Sequence, residues 1–185
     1  LGTGETLLQA TYRRIQSIFP PGNVLVVTNE DYVKLVAEQL PQIPNENILA
    51  EPLRKNTAPC IAYAAYKICK RNPDAIMLVT PADHLITKEE ELVRVLNLGI
   101  NYALENDVLL TMGIKPSRPD TGYGYIQFSP KANGNAEIKK VKSFTEKPEL
   151  EMAKNFMTSG EFLWNSGMFI WKLKTFMEAF EKHMP

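Results

Sequence analysis

The chain predicts an α/β protein, a mixed sheet flanked by helices, and three observations carry that reading. Ala75-Ile76-Met77-Leu78-Val79-Thr80 is an unbroken apolar or β-leaning run, closed by Pro81 and followed by Asp83. Such a run predicts a central strand buried on both faces of a parallel sheet. From Leu8 to Leu104 strand and helix signals alternate, which specifies parallel strands with helices on both sides. After Val108 strands follow one another through turns, so the sheet becomes mixed, in a Rossmann-like three-layer arrangement.

Leu8, Tyr12, Ile15 and Phe19 recur at helical spacing, and Pro20-Pro21-Gly22 stops that helix. Asn23 to Thr28 is a strand, Tyr32 to Leu40 a helix ended by Pro41, and Ile48 to Pro52 a short strand ending in Glu51. Ala58, Ile61, Ala62, Ala65, Ile68 and Cys69 form a helical stripe, with Pro59 tolerated in the first turn. Thr87-Lys88-Glu89-Glu90 has the spacing of a capping box and opens a helix through Leu92, Leu96, Ile100 and Leu104. Strands are expected at Leu109 to Ile114, Gly124 to Phe128 and Glu137 to Phe144, with a hairpin at Asn133-Gly134. Helices close the chain at Glu149 to Met157 and Thr175 to Met184.

The 185 residues hold 44% apolar and 23% charged side chains, ordinary for a globular domain with a sizeable core. Lys plus Arg and Asp plus Glu balance at 21 each, so no bulk field recruits nucleic acid or an anionic membrane. No apolar run reaches the roughly 18 residues of a membrane helix. Cys60 and Cys69 point to opposite faces of one predicted helix and are expected to be thiols, in a cytoplasmic setting.

Polar clusters gather at strand ends, where α/β sheets bind ligands. Asn56 or Thr57 can cap the helix that follows Glu51, or the helix start can face a polar ligand. Glu51 can accept two donors at once, as the N1–H and N2–H₂ edge of guanine requires. Asp83 is either a turn residue or a ligand for Mg²⁺, which binds through one or two carboxylates plus substrate phosphates. His84 reads as its packing or hydrogen-bonding neighbour, because Mg²⁺ prefers oxygen. Thr121-Gly122-Tyr123-Gly124-Tyr125 is a bend, or a place where backbone approaches a sugar. Glu146 and Lys147 would point to opposite faces of a strand, which disfavours a salt bridge between them. At a bent strand end before Pro148, both can reach one ligand, the acid taking hydroxyls and the base a phosphate. Asn165 and Ser166 interrupt the apolar run Phe162 to Trp171 and need hydrogen-bond partners.

Taken in order, these segments resemble bacterial mannose-1-phosphate guanylyltransferases, within the sugar-phosphate nucleotidyltransferases. The residues that carry the resemblance are Glu51-Pro52, Asn56-Thr57-Ala58-Pro59, Pro81-Ala82-Asp83-His84, Gly113-Ile114-Lys115-Pro116, Pro119 to Ile126, Phe144-Thr145-Glu146-Lys147-Pro148 and Trp164 to Phe169. The resemblance implies a glycosyltransferase-A-like nucleotidyltransferase fold and transfer of GMP from GTP to α-mannose 1-phosphate, giving GDP-mannose and pyrophosphate with Mg²⁺. It implies Asp83 as metal ligand and catalytic group, Glu51, Asn56 and Thr57 around guanine, Gly124, Glu146 and Asn165 on mannose, and Lys147 as the catalytic cation on its phosphate. A homodimer is compatible with it.

The family also carries a glycine-rich phosphate loop with an Arg and a Pro-Lys segment ahead of these motifs, and a second metal-binding aspartate after the Trp-Asn-Ser-Gly strand. Gly-Arg often stands where this chain has Arg54-Lys55. Residues 1–185 are therefore expected to be a truncated nucleotidyltransferase domain, inactive alone within an active parent. Rival readings are a nucleotidyltransferase for another sugar or base, a metal-dependent glycosyltransferase, and a non-catalytic sugar-nucleotide-binding module. The glycosyltransferases usually pair two aspartates around one residue, whereas Pro81 stands two before Asp83.

Overall fold

The computed structural model describes residues 4–51, 57–132 and 137–183, without the side chains of 131 and 132. The chain divides into two compact units, Leu1–Leu110 with Ile170–Pro185, and Thr111–Phe169. Parallel and antiparallel pairing both occur, with helices between the strands, as the mixed α/β reading predicts.

In the first unit α1 (Leu7–Ile15) opens with a capping box, Thr6 Oγ1 accepting from Gln9 N–H while Gln9 Oε1 accepts from Thr6 N–H. The helix ends at Ile15, short of the expected Phe19, because a tight turn takes over: Ile18 and Phe19 N–H both bond the Ile15 carbonyl. Strands β1 (Val26–Asn29) and β2 (Ile48–Glu51) pair in parallel, joined through α2 (Val33–Gln39). Tyr12, Val36, Leu40, Ile43 and Ile48 form the core that binds these elements. Asn47, with no solvent exposure, secures the start of β2. Its amide donates to the carbonyls of Gly22 and Val24, and its Oδ1 accepts from Arg71 at 2.7 Å.

Helix α3 (Thr57–Cys69) leads to β3 (Ile76–Val79). The expectation of a central strand buried on both faces is overturned: only Met77 is fully buried. Among the described residues β3 is the end member of its strand path, bonded to β7 (Phe162–Lys172), so it lacks the second flanking strand that would bury it. Ala75 accepts from Leu173 N–H at 2.8 Å, where α6 (Leu173–His183) begins. The capping box expected at Thr87 is not formed either. Helix α4 (Glu89–Glu105) has Lys88 at its N-cap with no side-chain bond. The helix starts one residue later than a Thr87 cap requires, and Glu89 in its first turn pairs with Arg13, at 2.6 and 2.9 Å, and with the buried Arg14. These ion pairs tie α4 to α1.

In the second unit β5 (Tyr125–Ala132) pairs antiparallel with both β6 (Lys139–Thr145) and β7 (Phe162–Lys172). Strand β4 (Leu109–Ile114) also pairs with β7. Tyr125, Ala153 of α5 (Leu150–Ser159) and Trp164 form the core here, with Phe156 and Phe162 packed against it. Alternation along β7 buries Trp164, Ser166 and Met168 and leaves Asn165 half-buried, the period-two pattern of a strand. The hairpin expected at Asn133-Gly134 lies outside the described residues.

Candidate functional site

Register alone builds a row of side chains in the second unit. Tyr125 stands opposite Thr145 on β6 and Trp164 on β7. One step further, Gly124 falls between Glu146 and Asn165, and its carbonyl accepts from Asn165 N–H at 2.7 Å. A side chain on Gly124 would meet Glu146 Oε2 at 2.6 Å and Asn165 Cβ at 3.6 Å, so both residues flank the face that glycine leaves bare. Two strand spacings separate the outer members, about 10 Å, which is room for a sugar ring.

The loop before Gly124 is held from below. The hydroxyl of Tyr125, a residue with no solvent exposure, donates to the Asp120 carbonyl at 2.9 Å and accepts from Asp120 N–H at 3.1 Å. Asp120 Oδ1 accepts from Gly122 N–H, and Arg118 pairs with Oδ2. The Gly122 N–H, then the Arg118 guanidinium, hold the Asp120 carboxyl below the usual carboxylate range. Arg118 lies 5.5 Å from the Trp164 ring and Tyr123 packs on the same ring at 5.0 Å.

Strand β6 ends at Thr145, so Glu146 and Lys147 leave the alternation of the strand. Lys147 takes φ 43°, a left-handed conformation that costs an L-residue about 1–2 kcal/mol. That twist carries its Nζ to 3.9 Å from Glu146 Oε1, forming the salt bridge that strand geometry alone disfavours. Acid and base therefore stand on one side, both exposed.

Asn165 and Ser166 have the partners that their apolar surroundings demand. Ser166 Oγ donates to the Met112 carbonyl and accepts from Met168 N–H. Asn165 Oδ1 accepts from Gly167 N–H and from Thr111 Oγ1, each at 3.1 Å. Gly167, at φ 70° within β7, takes a left-handed backbone conformation that a side chain would strain. A lone threonine in a strand carries no pattern, so the sequence signals nothing about Thr111.

In the first unit Asp83 follows β3, its side chain 83% exposed with His84 Nε2 3.9 Å away. Among the described residues no group of three or more His, Cys, Asp or Glu is gathered as a metal cage. A single exposed carboxylate nonetheless suits Mg²⁺, which keeps most of its shell for water and phosphate. Glu51 ends β2 and accepts from the Cys60 thiol of α3 at 2.8 Å. Burial, then the bond to Glu51, pushes the Cys60 thiol up to about 11. Thr57 is the exposed first residue of α3, whereas Asn56 lies outside the described residues. Both cysteines are thiols, as expected. No described helix is long and apolar enough to cross a membrane.

The family model for nucleotidyl transferases matches residues 1–185. The mannose-1-phosphate guanylyltransferase of Escherichia coli K12 is 40% identical over 186 residues, covering 97% of this chain and 38% of that protein. The alginate biosynthesis protein AlgA of Pseudomonas putida is 39% identical, covering 98% of this chain and 38% of its own length. This chain thus spans about two fifths of the curated relatives it matches. A crystal structure described as a mannose-1-phosphate geranyltransferase of Thermus thermophilus superposes with a TM-score of 0.88 at 31% identity, covering all of this chain and 52% of that one.

Proposed function

Because the chain belongs to the nucleotidyl transferase family, we propose that it forms part of an enzyme that transfers GMP from GTP to α-mannose 1-phosphate, releasing pyrophosphate. The row Glu146–Gly124–Asn165 carries the reading: an acceptor and an amide flank a bare glycine at sugar-ring spacing. The relatives' names supply the sugar and the base.

The chemistry asks for aim and charge rather than a general base. A sugar phosphate has a second pKa of about 6, so its oxygen is already a nucleophile near neutrality. Glu146 accepts from a mannose hydroxyl, Asn165 holds a second sugar oxygen, and Lys147 takes the phosphate as a point charge. The left-handed backbone of Lys147 holds that cation beside Glu146 before substrate arrives. Glu51, Asn56 and Thr57 are the residues assigned to the guanine edge in this proposal, and Asp83 is the carboxylate that would hold Mg²⁺. When bound, the ion neutralises phosphate charge as the bond to pyrophosphate breaks. The setting proposed is the cytoplasm.

Pyrophosphate release by the full-length protein, with four nucleoside triphosphates against mannose, glucose and N-acetylglucosamine 1-phosphates, tests this. Turnover is expected for GTP with mannose 1-phosphate, and preference for any other pair overturns the assignment.

A further inference from the structure

We propose that Thr111 is a positioning residue that fixes the Asn165 amide so that its NH₂ donates to a sugar oxygen. The proposal rests on the reading of Glu146, Gly124 and Asn165 as a sugar row. Oxygen and nitrogen of an asparagine amide are told apart by their partners. A backbone N–H can only donate, and Gly167 N–H points at Asn165 from 3.1 Å, so the atom facing it is the oxygen. Thr111 Oγ1 stands 3.1 Å from that oxygen and 3.4 Å from the Met168 carbonyl. One hydroxyl carries one proton, and the shorter contact takes it.

Both lone pairs of Oδ1 are then occupied, and turning the amide over would set its NH₂ against the Gly167 N–H. Asn165 is left as a donor to ligand. At the other end of the row the carboxylate oxygens of Glu146 are acceptors. The row therefore reads a ligand with two polar groups of opposite sense: an oxygen that accepts at Asn165 and a hydroxyl that donates at Glu146. A cationic amine at the Asn165 end would meet a donor and be rejected.

Thr111→Val keeps the side chain's shape and deletes only the hydroxyl, and Thr111→Ser restores it. Calorimetry on the full-length protein, with α-mannose 1-phosphate and with GTP, gives the readouts. Thr111→Val is expected to weaken sugar phosphate binding about fivefold, the worth of one net hydrogen bond. Thr111→Ser should return it to within about twofold, with GTP affinity unchanged in both. Unaltered sugar binding in Thr111→Val, or equal loss for sugar and GTP, overturns the proposal. Asn165→Asp keeps an oxygen toward Thr111 and Gly167 but replaces the donor, and should bind the sugar phosphate at least about tenfold more weakly. If Asn165→Asp binds as well as wild type, or wild type binds no mannose 1-phosphate, the sugar-row reading itself fails.

Discussion

Cys60 donates its thiol proton to Glu51 Oε2 at 2.8 Å, joining the start of α3 to the end of β2. The bond sets the thiol of α3 against the carboxylate that ends β2. The thiol, pushed up to about 11, stays protonated at neutral pH.

Cys60 is accordingly expected to alkylate slowly near pH 8, because the thiolate is the nucleophile. Glu51→Gln should accelerate its reaction with iodoacetamide, measured by peptide mass spectrometry. The thiol's upward shift also favours the folded state, so this contribution should fade as pH rises from about 8.5, the ordinary thiol value, towards 11. Cys60→Ala should show a shallower alkaline fall in melting temperature than wild type.

Gly124→Ala tests the row without threatening the fold. Its Cβ would meet the far end of the Glu146 side chain, which can swing aside. Stability should change by less than about 1 kcal/mol, while mannose 1-phosphate affinity falls about tenfold or more for the lost bond to a charged group. Thermal melts and calorimetry on one preparation separate the two effects.

Gly113→Ala should do the reverse. A Cβ there would stand 2.5 Å from Leu163 Cδ1 and 2.8 Å from Leu163 Cβ, and the latter cannot rotate away. Overpacking of this kind costs about 1–3 kcal/mol, readable by urea denaturation. Adding Leu163→Ala should cost less in the Gly113→Ala background than alone.

Asp120 gives an acid-side test. Its folded pKa is depressed by Gly122 N–H and Arg118, so its contribution is present above the unfolded value of about 3.9 and is lost as pH falls through the lower folded value. Asp120→Asn should melt lower than wild type at neutral pH, with the gap narrowing below about pH 4 in scanning calorimetry.

Motifs made much of the row Glu146–Gly124–Asn165 legible, because Gly124 and Glu146 fall at strand ends and register sets them beside Asn165 of β7. The missing details arise from contacts that sequence periodicity does not encode. The left-handed Lys147 follows from how β6 ends, and Thr111 matters only through a partner 54 positions away. The run around Met77 has the composition of a central strand, but burial depends on which strands flank it, and β3 has only β7 beside it among the described residues. At Thr87 the local cap pattern fails by one residue of register, since the helix begins at Glu89 with Lys88 as its N-cap and Thr87 stands outside it.

Strand β6 ends its sheet path among the described residues, so its backbone edge faces any strand that another chain could bring alongside. Every residue from Lys139 to Phe144 is exposed, and Lys139, Lys140 and Lys142 lie on it. A second copy laid antiparallel along that edge would stack ammonium groups against one another and desolvate them together. The strand thus carries its own electrostatic veto on fibril-like growth, and colloidal stability in this protein should weaken as salt screens those lysines.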